Sequence, residues 1–113
     1  MNDHVNILGT EYTIVYAKEK NDQKLKRMDA YVDRTVKKIV ICKFKRDEDS
    51  VGDLDHYRKE CLRHEIVHAF LFESGLAAST GNYKAWAENE EMVDWIAKQF
   101  PKLHKAFEEA GAL

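Results

Sequence analysis

The sequence predicts an α+β domain, with a small antiparallel or mixed sheet from the N-terminal half packed on two helices from the C-terminal half. Three observations lead to this class. The runs "EYTIVYA" (residues 11–17) and "KKIVICKF" (residues 37–44) are rich in β-branched and aromatic residues, which suit a pleated, half-buried surface. From Asp53 the pattern turns helical, with Asp53 placed to cap a first turn and Gly75 to stop a last one. No repeat, low-complexity tract or long linker divides the 113 residues, so 1–113 is expected to be a single domain with one core.

Taken in order, residues 11–17 form the first expected strand. The polar segment "KEKNDQKLKR" (residues 18–27) follows. Its acidic members and its lack of interleaved aromatics make it a solvated loop rather than a nucleic-acid patch. "MDAYVDRT" (residues 28–35) reads as a shorter strand leading into a turn at Asp33 and Arg34, and residues 37–44 as another strand. The first helix is expected over residues 54–74, and "GLAASTGNYKA" (residues 75–85) is a connection of small residues. A second helix covers residues 86–100, where Pro101 ends or kinks it, and residues 102–113 close the chain as a short amphipathic helix.

Hydrophobic residues make up 44% of the chain and charged residues 34%, a globular composition with a well-solvated surface. A formal charge of -2 gives no field that would favour nucleic acid or an anionic membrane. Cys42 and Cys61 are too few for a disulfide framework, and no apolar run reaches the length of a leader or a membrane span. The expectation is a soluble cytoplasmic protein with reduced thiols, no nucleic-acid or membrane partner and no specified oligomeric state.

The chemistry concentrates in "RHEIVHAF", where His64 and His68 stand four residues apart with Glu65 between them. Side chains at that spacing lie one above the other on a helix, so both imidazoles reach one zinc ion. Glu65 sits one residue round, beside the metal, where it can take a proton from a metal-bound water. A catalytic zinc needs a third protein ligand from another element. In "AWAENEEMVDWIAKQF" the residues Trp86, Val93, Ile96, Ala97 and Phe100 share one apolar arc, and Glu90 lies at its edge. Glu90 is therefore the expected ligand, Glu88 and Glu91 face solvent, and Asp94, one turn beyond Glu90, is placed to accept the other ring N–H of a ligand histidine.

HExxH at His64–His68, followed by the NExxxD pattern at Asn89, Glu90 and Asp94, resembles the gluzincin metallopeptidases, the thermolysin-like branch of the zincins. A fainter resemblance, in "IAKQFP", is to repressor-cleaving peptidases of the ImmA/IrrE kind. The gluzincin resemblance covers residues 61–101 and implies a zincin-like fold. It also implies a glutamate ligand at Glu90 and an aspartate at Asp94 that supports a ligand histidine. The expected function is a zinc metalloendopeptidase with one zinc on His64, His68 and Glu90, with Glu65 as general base and a protein or peptide as substrate. In zincins the peptide pairs with an edge strand, here expected to be "KKIVICKF" or a neighbour. No residue carries over to the carbonyl-polarising role. Tyr57, Tyr83 and His104 are conceivable donors but read as packing or surface. Cys61 reads as a small buried side chain, and His4, His56 and His104 as surface. Two alternatives stay open: a structural zinc clamp between the helices with Cys61 as a fourth ligand, and a metal-free interaction module using Trp95 and the acidic second helix against a basic partner.

Overall fold

The structure is a computed structural model and describes residues 3–48, 50–79 and 86–113. Among the described residues the chain forms strands β1 (His4–Ile7), β2 (Thr10–Ala17), β3 (Ala30–Asp33) and β4 (Lys38–Cys42), then helices α1 (Leu54–Glu73) and α2 (Glu90–Glu109). Three short 3-10 turns, Glu19–Asn21, Gln23–Lys26 and Trp86–Glu88, join them. The sheet order is β1-β2-β4-β3, with β2 and β4 parallel and the two outer pairs antiparallel. The fold is α+β with a mixed sheet, as the patterning predicts.

β1 is an addition to the sequence reading. It forms because Leu8 (φ 52°) and Gly9 (φ 92°) make a two-residue turn in which both residues are left-handed, the geometry that matches strand twist in tight hairpins. The Asn6 side chain accepts the Gly9 N–H at 2.8 Å and fixes the turn.

One face of the sheet carries Ile7, Tyr12, Ile14, Ile39 and Ile41, which pack on Ala69 together with Cys61, Leu62 and Ile66 of α1. The opposite face holds a smaller cluster in which Leu25, from the second 3-10 turn, covers Val40 and Cys42. Burial on both faces explains the unbroken apolar run of β4, the signature of an interior strand. Of the two edges the sequence left open, "KKIVICKF" or a neighbouring strand, β4 is interior and its neighbour β3 is the free edge on that side.

α1 lies between the sheet and α2, whose Val93 packs with Leu71, Ala77 and Ala87. Its last residue, Glu73, accepts hydrogen bonds from Tyr12 (2.7 Å), Thr10 (3.2 Å) and Lys37 (2.7 Å). The C-terminal end of α1 is thereby tied to the start of β2 and to the β3–β4 turn, which sets the angle of the histidine helix on the sheet.

α2 differs from expectation at both ends. Asn89 caps it by accepting the Met92 N–H at 2.8 Å, so the helix starts at Glu90 and Trp86 stands in a separate turn, 61% exposed. It then runs through Pro101 to Glu109 as one helix. Proline has no N–H for the carbonyl four residues earlier, which is that of Ala97. The Arg63 side chain of α1 donates to the Ala97 carbonyl instead, filling the vacant hydrogen bond from outside the helix. Val93 and Ala97 are the buried centre of the inward face, while Phe100 is half exposed. No described helix is long and apolar enough to cross a membrane.

Candidate metal centre

His64, Glu65 and His68 project from the middle of α1 into a cleft of about 930 Å³ bounded by β3, α1 and the start of α2. The two imidazoles are 4.9 Å apart between ring centres and meet edge-on, the stacking that a four-residue helical spacing produces. Glu90, the first residue of α2, turns its carboxylate toward both. Its Oε1 lies 3.4 Å from His64 Nε2 and within hydrogen-bond contact of His68 Nε2. One ligand atom from each of the three residues falls within 4.8 Å of the others. Donors around a tetrahedral zinc with bonds of about 2.0–2.1 Å are separated by about 3.3 Å, so the group fits such an ion with small side-chain adjustments.

The surroundings favour the forms that bind metal. Burial pushes the His68 pKa below its ordinary value, against the opposing pull of Glu90, and a neutral imidazole is the form that ligates. The other nitrogen of His64, Nδ1, faces Asp94 Oδ1 at 3.4 Å, the arrangement that fixes the tautomer of a ligand histidine. Burial tends to raise the Asp94 pKa, but Lys98 at 3.1 Å and His64 outweigh it and hold the carboxylate ionised.

Glu65 is the unusual group. It is only 7% exposed, lines the cleft and has no hydrogen-bond partner among the described residues. Burial, and then the charge of Glu90, push its pKa up to about 7. No side-chain oxygen or nitrogen is fully buried without a partner among the described residues, so the Glu65 carboxyl opens onto the cleft, and a carboxyl poised near neutrality beside side chains that could hold a metal has the properties a general base needs.

The remaining candidates are not brought to the centre. Cys61 is half-buried in the sheet-facing core, and burial pushes its thiol up to about 11. It does not belong to the group that could hold a metal ion among the described residues. Tyr57 stands two turns before His64 and donates its hydroxyl to Asp29. His104 pairs with Glu108 at 2.9 Å and stacks on Phe100 in the far half of α2. Tyr83 lies outside the described residues. His4 and His56 are exposed and paired with acidic neighbours. Of the two glutamates assigned to solvent, Glu91 is exposed and Glu88 is half-buried, and both reach the cleft wall.

Two features of the site escape sequence reading. Asp29 and Glu60 come to the cleft from different elements. The free edge of β3 also faces it. The Cys42 N–H donates to the Asp29 carbonyl at 2.9 Å, so in this register Tyr31 and Asp33 direct their main-chain groups to β4. By the alternation of antiparallel pairing, Ala30 and Val32 direct theirs outward, away from the sheet. Comparison with protein-family models, with curated proteins and with solved structures returned no match for this chain, so the site stands on its own geometry.

Proposed function

We propose that the protein is a zinc-dependent metallopeptidase of the gluzincin kind, with His64, His68 and Glu90 as zinc ligands and Glu65 as general base. The observation that carries this reading is the convergence of three ligand atoms beside a buried carboxyl that has no other partner. Zinc held there supplies a lowered water pKa and polarisation of a substrate carbonyl.

The chain's own residues do the rest. The outward main-chain groups of Ala30 and Val32 offer an extended peptide a strand to pair with along the cleft. Glu65 accepts the attacking water's proton and returns it to the leaving amine, a role suited to a carboxyl titrating near 7. Asp94 holds His64 in the tautomer that leaves Nε2 free. The unpaired Cys42 and Cys61 accord with a cytoplasmic setting.

One feature favours the structural alternative, since the three ligands clamp α1 to α2. A closed structural zinc takes four protein ligands, however, and three converge among the described residues. Metal analysis of the purified protein beside Glu90→Gln tests the site, with about one zinc per chain expected for the parent only. Equal zinc in the two proteins refutes it. Cleavage of an unfolded protein substrate tests the base: Glu65→Gln should keep zinc and lose about 10²–10⁴-fold in rate, and undiminished cleavage removes Glu65 from the role.

A further inference from the structure

We infer that Arg34 is a specificity-determining residue, binding a carboxylate of the substrate at the Phe72 end of the cleft. The inference rests on the peptidase reading above for its extended-peptide occupant and adds the chemical class of one contact.

Arg34 follows β3 directly, in the turn that leads to β4. Its guanidinium carbon lies 5.5 Å from the centre of the Phe72 ring, and that ring stacks on His68 at 6.1 Å and 17°. Phe72 lines the cleft. The two distances put the guanidinium within about 12 Å of the His68 ring, the length of three or four extended residues at about 3.3 Å each. A peptide paired with the outward main-chain groups of Ala30 and Val32 would run along the same edge to reach it.

The turn is fixed at both ends. Asp33 accepts the Thr35 N–H at 3.0 Å and also the Thr35 hydroxyl. Lys37, held at φ 54°, donates its ammonium to Glu73 and accepts the Thr13 N–H at 3.0 Å on its carbonyl. Little main-chain ordering is therefore left to occur on binding.

Those bonds also engage the nearest carboxylates. Asp33 is held by Thr35, and Glu73 by Thr10, Tyr12 and Lys37. Among the described residues no carboxylate pairs with Arg34, whose one contact there is the Phe72 ring. Lys98, a cation on the α2 wall of the cleft, is already paired with Asp94 at 3.1 Å. An aromatic face supports a guanidinium through its plane and leaves the N–H groups on its edge free. That edge is the fork which takes a carboxylate by two parallel hydrogen bonds. Elsewhere in the cleft Glu88, Glu90 and Glu91 disfavour an anion, so Arg34 fixes where along the peptide the carboxylate falls.

A carboxylate can come from the C-terminus of the peptide or from an Asp or Glu side chain, and the test separates the two. Four N-acetylated heptapeptides of one neutral sequence are compared by calorimetry on zinc-loaded Glu65→Gln protein, so that nothing is cleaved. They are a C-terminal acid, the C-terminal amide, and two amides with a single Glu near one end or the other. The acid or one of the Glu amides should bind about 10-fold tighter than the plain amide, and the peptide that does so names the source. Arg34→Gln should bring that peptide down to the level of the plain amide. Arg34 is exposed, so this variant should keep the parent's melting temperature. Equal binding of all four peptides overturns the inference, and so does a preference that survives Arg34→Gln, which would place the carboxylate on another group such as the metal. Zinc content and cleavage by the parent are measured in parallel, and the titrations are repeated on chelated protein. If zinc binding or cleavage fails while the Arg34-dependent preference persists in chelated protein, the peptidase reading falls and the carboxylate site stands.

Discussion

Replacing Arg63 by methionine tests how α1 and α2, the helices that carry His64, His68 and Glu90, are held together. The side chain donates to the Ala97 carbonyl, the group that Pro101 leaves without a main-chain donor. Ala97 is 1% exposed, so water does not readily replace the lost partner. A hydrogen bond from a charged donor contributes about 1.5–3 kcal/mol. Because the Arg63 contact is only part-buried, Arg63→Met is expected to cost about 2 kcal/mol, or about 8 °C in melting temperature for a domain of this size. The decisive comparison is the same change in a Pro101→Ala background, where residue 101 regains an N–H for the Ala97 carbonyl. There Arg63→Met should cost about 1 kcal/mol or less, giving a coupling of about 1 kcal/mol in a double-mutant cycle. Urea unfolding followed by tryptophan fluorescence measures all four proteins. Equal costs in the two backgrounds, within about 0.5 kcal/mol, refute the claim that Arg63 substitutes for the missing donor.

Three further outcomes are expected. Asp94→Asn should weaken zinc binding by about 10–100-fold in competition with a chromophoric chelator, and an unchanged affinity would leave Asp94 as a partner of Lys98 alone. Val93→Ala, at a fully buried position between α1 and α2, should cost about 2 kcal/mol in urea unfolding, whereas a cost near zero would mean that this contact does not hold α2 in place. The third is a pH effect in the metal-free protein, where Glu65 titrates at about 7 instead of an ordinary 4.5. Its proton is held more tightly in the folded state, so its stabilising contribution is complete below pH 4.5 and vanishes as the pH rises through 7. From pH 4.5 to 8, chelated parent should lose up to about 3 kcal/mol more stability than Glu65→Gln, and parallel curves would reject the buried acid.

The elements that sequence predicts well are those with local causes. The Asp53 cap and Gly75 stop bound α1, and β-branched runs mark β2 and β4. β1 is hidden because its hairpin turns on Leu-Gly in place of the Asn-Gly or Asp-Gly that signals such turns. The continuity of α2 through Pro101 depends on a guanidinium from another helix, which no local window contains. The interior position of β4 likewise follows from its pairing with β2 on one side and β3 on the other, a long-range arrangement outside any local window. At the site, spacing picks out His64, His68, Glu90 and Asp94, and the structure brings these together. Helix phase gives only part of the reason. Trp86 and Phe100 of the expected apolar arc are substantially exposed, and Glu90 is positioned by the Asn89 cap at the first turn of α2. The acidic wall built by Asp29 and Glu60 is a product of tertiary assembly and has no counterpart in any short stretch of sequence.

The central claim is a zinc ion shared by α1 and α2 with a position left open for chemistry. Zinc-edge anomalous scattering from crystals grown with the metal tests it most directly. The account predicts one peak bonded at about 2.0–2.1 Å to Nε2 of His64, Nε2 of His68 and a carboxylate oxygen of Glu90, with a non-protein ligand in the fourth position beside Glu65. No peak at these residues, or a peak closed by a fourth protein ligand, contradicts it.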